Sequence, residues 1–350
     1  MAVKQIILVA LTVMLGVGCA NTEDGMPEEK HEDEPTMPQI AVSASVAASE
    51  GASRATPIMS KTDLSALEIS VKRNDTDQDY FVDVATPLGN VFSFSTPHYW
   101  LPGAPLDFYA YTPSPHLSNL SVGKGTIKFD YTAAVAGVAT DGADILTGMD
   151  FGLEYGKTQG GVVPIKLSHA LAMIEFAVAY EEDAEGNRTS KIGNDIIITE
   201  VALHNVARDG ICTATCSGYN WTVGSAVEWI CADFTCSAAA DEPVDFKAAD
   251  GTPMRGLRVG RDIHAGDLIN DADRSKALIV VPGQTLTEMR VSFVEGAPTV
   301  YSKTFPIEPI TFEPGKYYRF YLSIKSNNVS VWSTKVTDWI EADGGEYTLT

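Results

Sequence analysis

The sequence predicts an all-β protein built as two β-sandwich domains in tandem. Short alternating or apolar runs recur along the chain, Gly, Pro and Asn separate them, and no stretch repeats apolar residues at helical spacing over three turns. The length of 350 residues supports about two domains, each large enough for a full core. A hydrophobic fraction of 45% and a mean hydropathy of −0.01 fit a globular body.

Before that body comes a leader. Lys4, the apolar run from Ile6 to Val17 and the small residues Gly16-Val17-Gly18 before Cys19 form an export signal over residues 1–18. The run is shorter than the roughly twenty residues that span a bilayer. A cysteine directly after small residues at the end of a signal is where lipoproteins are cleaved and diacylated, so Cys19 is the expected lipidation site. An ordinary signal peptide with an incidental cysteine is the simpler alternative. Residues 23–34 are charged and nearly free of apolar side chains, a composition that cannot fold and serves as a tether. Ile40 to Ala48 then alternates, with Ile40, Val42, Ala44, Val46 and Ala48 on one face, as a half-buried strand does. The small, polar segment from Ser49 to Pro57 carries a single arginine, Arg54, and is open to a protease. On spacing alone a plain linker is the simpler reading of it.

In the expected first domain, residues 55–185, the runs are Ala66–Lys72, Tyr80–Ala85, Val91–Ser95, Leu106–Tyr111, Gly125–Tyr131 and Val162–Leu167. Leu167 to Tyr180 reads as one long strand entering a polar loop, Glu181 to Asp195, where the domain boundary is expected. The second domain, residues 186–350, continues with Ile196–Asn205, Ile211–Cys216, Glu228–Phe234, Ala277–Val281, Glu288–Glu295, Thr299–Phe305, Lys316–Ile324 and Val329–Val336. Asn327-Asn328 supplies a hairpin turn before the last of these.

Apart from Cys19, the cysteines are Cys212, Cys216, Cys231 and Cys236. Two cysteines four apart on one strand lie about 13 Å from each other, too far to bridge. Opposed residues of an antiparallel hairpin share a nearly constant index sum. The pairs Cys212–Cys236 and Cys216–Cys231 satisfy this with one bulge and a turn near Gly224. Four buried free thiols are an equal alternative, and a four-thiolate metal site is disfavoured by the spacing.

The formal charge of −21 argues against nucleic acid as a partner, because a phosphate backbone needs a basic face. No Gly-x-Ser-x-Gly elbow, His-Glu-x-x-His pair or Walker loop is present, so no catalytic residue, metal or cofactor is expected. Asp75, Asp77 and Asp79 alternate like the opening of a calcium loop, but Tyr80 and Thr86 stand where that loop needs Gly and an acid, which favours a solvated hairpin tip. His169, inside an apolar stretch, reads as a hydrogen-bonded core residue. Tyr99-Trp100, between two prolines, is a candidate aromatic pair for glycan or protein contact, although aromatics at strand ends usually cap a core.

Several stretches, in order along almost the whole chain, together resemble one family. They are the signal up to Cys19, Ser53-Arg54-Ala55-Thr56, Pro105 to Pro113 (Pro-Leu-Asp-Phe-Tyr-Ala-Tyr-Thr-Pro), Asp144-Ile145-Leu146-Thr147-Gly148, and Ser168-His169-Ala170-Leu171 within Val163–Phe176. Glu200 to Val206, Leu278 to Gln284, Pro314-Gly315-Lys316-Tyr317-Tyr318 and Val336-Thr337-Asp338-Trp339 follow. The pattern is similar to the fimbrillins, subunits of the type V pili of Bacteroidia, and their fimbrillin-like relatives.

The resemblance implies two transthyretin-like, Greek-key β-sandwich domains and a structural, adhesive and non-enzymatic subunit of a cell-surface fimbrium. It implies export as an outer-membrane lipoprotein through Cys19, and an arginine-specific surface protease that cuts between Arg54 and Ala55. The strand Ile40–Ala48 is then removed, and residues 19–54 act as a propeptide. The other pilus subunits become partners by donor-strand exchange, with a donor from the C-terminal region, here Val329–Val336 or Glu346–Thr350. Stalk, tip and anchor roles stay open, and a host or bacterial surface ligand is an expected further partner. The alternative is a monomeric surface lipoprotein that binds a glycan or host ligand through loops such as Tyr99-Trp100.

Overall fold

Alternating apolar side chains with frequent turn residues should give strands rather than helices, and they do. The computed structural model of the chain describes residues 38–46, 63–133, 144–193, 195–233, 245–247, 249–269, 278–296, 299–325 and 328–339. Among the described residues its regular structure is β-strand, with a short 3-10 turn at Tyr155–Lys157.

The first nine strands are β1 (Ala41–Val46), β2 (Leu67–Arg73), β3 (Asp79–Leu88), β4 (Val91–Phe94), β5 (Leu106–Tyr111), β6 (Leu117–Gly123), β7 (Thr126–Thr132), β8 (Leu146–Leu153) and β9 (Val162–His169). Seven of them pair in the order β1-β4-β3-β2-β5-β8-β9, and β1 pairs β9 in turn, so this sheet closes on itself. Its inside holds a core that includes Leu67, Ile69, Phe92, Phe108, Val163 and Ile165. The strand β5 is buried along its whole length. Leu106, Phe108 and Ala110 point into this first core, while Tyr109 and Tyr111 enter a second one. Between β2 and β3 the three alternating aspartates sit at a hairpin tip with separate partners. Asp75 pairs Arg73, Asp79 takes the Lys72 ammonium at 2.6 Å, and Asp77 accepts the Lys124 backbone N–H.

The remaining strands are β10 (Ala172–Val178), β11 (Tyr180–Glu182), β12 (Arg188–Ser190), β13 (Ile196–Ala207), β14 (Asp209–Thr215), β15 (Gly218–Val223), β16 (Ala226–Asp233), β17 (Phe246–Lys247), β18 (Pro253–Met254), β19 (Leu257–Arg258), β20 (Leu278–Val280), β21 (Thr285–Glu295), β22 (Val300–Thr311), β23 (Lys316–Lys325) and β24 (Asn328–Asp338). They form sheets β20-β10-β23-β24 and β16-β13-β21-β22, and β14 and β15 join β7 and β6 in a third. Phe176, Ile198, Val291, Phe293 and Phe320 lie in the shared second core.

Three expectations need correction. The run Leu167–Tyr180 is not one strand: its first three residues end β9, Ala172–Val178 form β10, buried along its whole length as a central strand although it carries Glu175, and Tyr180 begins β11. The division at 185/186 does not match the strand pairing either. β10 pairs β20 and β23 from far down the chain, β7 pairs β14, and the polar loop carries only the small hairpin β11–β12. The cysteine hairpin also fails to form. β14 turns back at Cys216-Ser217 into β15, where Gly218 supplies a φ of 137°, so Cys212 opposes Trp221 and, on its other side, Phe129. Cys231 lies on β16, which pairs β13. Cys212, Cys216 and Cys231 are free thiols, and Cys236 lies outside the described residues. The nearer glycine turn outcompetes the one expected at Gly224.

Candidate functional site

β1 occupies a slot in the closed sheet that no neighbouring strand in sequence provides. Its six residues run parallel to β9, from Ala41 opposite Val162 to Val46 opposite Leu167. Toward β4 it has a single antiparallel pair, Val42 with Phe92. The period-two pattern aims Ile40, Val42, Ala44 and Val46 inward, each under 8% exposed, onto the first core. Burial of Ile40, Val42 and Val46 contributes about 1.5–3 kcal/mol each. The fifth residue of that face, Ala48, lies outside the described residues.

The entry to the slot is pinned by backbone and by one indole. The Ile40 N–H donates to the His98 carbonyl at 2.8 Å and the Trp100 N–H to the Pro38 carbonyl at 3.1 Å. The Trp100 indole N–H donates to the Gly161 carbonyl at 3.2 Å, and its ring lies beside Phe108 and Tyr155. Trp100 is 1% exposed, so of its two readings the surface contact fails and the core cap holds: a large apolar ring at a strand end has closed the core. Tyr99 alone is exposed, and its carbonyl accepts the Tyr80 hydroxyl proton. Gly161 has a φ of +81°, and an added Cβ would lie 2.9 Å from the Gln39 carbonyl oxygen. This glycine, which the sequence reading did not single out, lets the chain pass under the start of β1.

Without β1, β4 and β9 would be free edges of an apolar trough that opens onto the first core, with Phe92 on one edge strand and Val163, Ile165 and Leu167 on the other. An open pair of edges over an apolar trough is a template for a strand from elsewhere. Residues 47–66 connect β1 to β2, and Arg54 and Ala55 fall in that connection. Arg54, Ala55 and Cys19 lie outside the described residues.

Val329–Val336 does not serve as a free donor. It is part of β24, which pairs β23 over ten residue positions and carries Val329 and Thr334 buried. Glu346–Thr350 lies outside the described residues.

Four of the stretches singled out in the sequence meet where β9 passes into β10. His169, 3% exposed, is hydrogen-bonded through Nδ1 to Asp144 and stacks on Trp339. Gly315 N–H donates to the Leu171 carbonyl and Trp339 N–H to the Gly315 carbonyl, both at 2.8 Å. The Tyr219 hydroxyl and the Trp221 indole donate to the carbonyls of Ser168 and Ala170. Gly148 lets β8 approach β9, since a Cβ there would fall 2.6 Å from Ile165 and from the Lys166 carbonyl. His169 is thus a hydrogen-bonded core residue.

The two buried thiols are poorly reactive by environment. Burial pushes Cys212 up to about 12 and raises Cys231 further; exposed Cys216 is raised by partial burial and by the nearby Asp150 charge. Among the described residues, no group of three or more His, Cys, Asp or Glu side chains is arranged to hold a metal ion.

The profile of a family described as fimbrillin-like matches residues 53–339. Among solved structures, a fimbrial protein from Bacteroides vulgatus is 13% identical with a TM-score of 0.55, over 86% of this chain and 99% of that one. A proposed cell adhesion protein from Bacteroides uniformis is 16% identical with a TM-score of 0.52, over 86% of this chain and 98% of that one. At these identities the likeness concerns the fold. No curated protein matches the sequence.

Proposed function

Because this chain belongs to the fimbrillin-like family, we propose that it is a structural and adhesive subunit of a cell-surface fimbrium, exported as a lipoprotein through Cys19 and assembled by donor-strand exchange. In this reading an arginine-specific surface protease cuts between Arg54 and Ala55. β1 then leaves, and a strand from another subunit fills the trough between β4 and β9. The observation that carries the reading is the seating of β1: a strand held by a ladder to distant β9 and connected along the chain to β2 through residues 47–66.

Backbone pairing along β9 supplies affinity for the incoming strand, and the inward positions of Ile40, Val42, Ala44 and Val46 set its register. Contacts of this head-to-tail kind extend into a filament. The two cores are read as two tandem transthyretin-like β-sandwich domains. A stalk role requires a donor from the chain after Trp339, such as Glu346–Thr350, because β24 is committed to its own sheet. A tip or accessory subunit needs the trough alone. The rival, a monomeric lipoprotein binding a glycan through Tyr99-Trp100, is weakened by the burial of Trp100.

Intact-mass and N-terminal analysis of the protein from the cell surface tests this, with an Arg54→Ala variant alongside. A chain starting at Ala55, absent in the variant, supports the scheme. A chain that still starts at a diacylated Cys19 assigns the protein to an anchor or a binding lipoprotein.

A further inference from the structure

A cavity of about 480 Å³ lies on the outer side of the closed sheet, away from the β1 trough. It is lined by Glu68, Tyr111, Pro113, Ser114, Pro115, Leu117 and Leu120. Glu68 is its single charged lining residue. The Tyr111 phenol donates to Glu68 Oε1 at 2.6 Å. Tyr111 is 3% exposed, and burial together with this hydrogen bond raises its pKa, so the phenol keeps its proton and stays a donor. Glu68 Oε2 takes no partner among the described residues. The walls are aliphatic and ring carbon: Pro113, Pro115, Leu117 and Leu120.

We propose that this cavity receives a lysine or arginine side chain from a partner polypeptide, with the cationic head on Glu68 and the aliphatic stem against the proline and leucine walls. A basic side chain is the group that combines an apolar stem with a charged tip. The volume lies in the range of ligand sites, about 300–1,000 Å³, and exceeds the needs of an ammonium alone. The sheet surface beside the cavity argues for a polypeptide rather than a free amine. Val84 is the cross-strand neighbour of Glu68 and Val82 that of Ser70 on the next strand, and these valines are 43% and 54% exposed. A small amine would leave them in water, whereas a peptide backbone and its neighbouring side chains cover them. The formal charge of −21 adds long-range attraction for a basic partner.

The test titrates the full chain, with Leu and Val methyls labelled for NMR, with Nα-acetyl-lysine-N-methylamide and with the uncharged Nα-acetyl-norleucine-N-methylamide. The lysine compound should shift the methyl signals of Leu117, Leu120 and Val84, and the norleucine compound should bind about tenfold more weakly or less. Glu68→Gln, which keeps an acceptor for the Tyr111 hydroxyl, should reduce lysine binding to the norleucine level with an unchanged thermal midpoint. Val84→Lys, at the exposed cross-strand neighbour of Glu68, should reduce it as well by placing a competing cation beside Glu68. Equal binding of the two compounds, shifts confined to other methyls, no shift up to the solubility limit, or binding unaffected by Glu68→Gln overturns the proposal.

Discussion

The imidazole of His169 lies flat on the indole of Trp339, with ring centroids 4.2 Å apart and planes 7° from parallel. The pair joins the end of β9, the last strand of the closed sheet, to the end of β24, the last described strand. It closes the point where the chain leaves the first core for the second. Truncation of Trp339, 1% exposed, should therefore loosen that crossing.

Trp339→Ala should destabilise the protein by about 3–5 kcal/mol, as loss of a fully buried aromatic does. Denaturant unfolding measures the change. A loss under about 1 kcal/mol would mean that the stack is peripheral to the fold.

Much of this was legible from local pattern. The inward face of β1 and the hairpin tip at Asp75–Asp79 followed from alternation and turn residues over a few positions. The partner of β1 was not legible, because a parallel ladder between residues 41–46 and 162–167 leaves no mark in either segment. The same limit hid the partners of Trp100, whose contacts come from distant Pro38 and Gly161. Arithmetic on cysteine indices failed because it assumed which strands pair, and β14 found β15 and β7 instead.

A carboxylate on the inner face of β1 should unseat the strand. Val42 is 0% exposed, so Val42→Asp removes an apolar contact and buries a charge, at a cost of at least about 3 kcal/mol. Hydrogen exchange should rise for the β9 amides among residues 162–167, Pro164 having none, and stay slow on β13 and β21. Uniform acceleration across all strands would mean that β1 is not a separable element.

Gly161 and Gly160 offer a matched pair. Both have positive φ, +81° and +64°, but only at Gly161 would a Cβ meet other atoms, the Gln39 carbonyl and the Trp100 indole nitrogen at 2.9 and 3.2 Å. Either alanine carries the backbone strain, about 1–3 kcal/mol, and Gly161→Ala should cost clearly more. Thermal unfolding of the two variants decides it; equal costs would remove the close approach from the account.

The thiols should separate by accessibility. In the native protein at neutral pH, iodoacetamide followed by peptide mapping should modify Cys216 and spare Cys212 and Cys231, which are buried and hard to ionise. A peptide containing Cys216 disulfide-linked to Cys231 would contradict the strand pairing of β14 and β16.

The most direct test of the central claim is to cut the folded chain between Arg54 and Ala55 with an arginine-specific protease, then offer an isotopically labelled peptide of residues 38–48. Mass spectrometry of the gel-filtered protein reads which strand occupies the slot. A removable β1 predicts that the original fragment leaves and the labelled peptide takes its place, whereas a Val42→Asp version of the peptide does not. A cut chain that keeps its own strand and takes up no peptide would contradict the account, because β1 would then be a permanent part of the sheet.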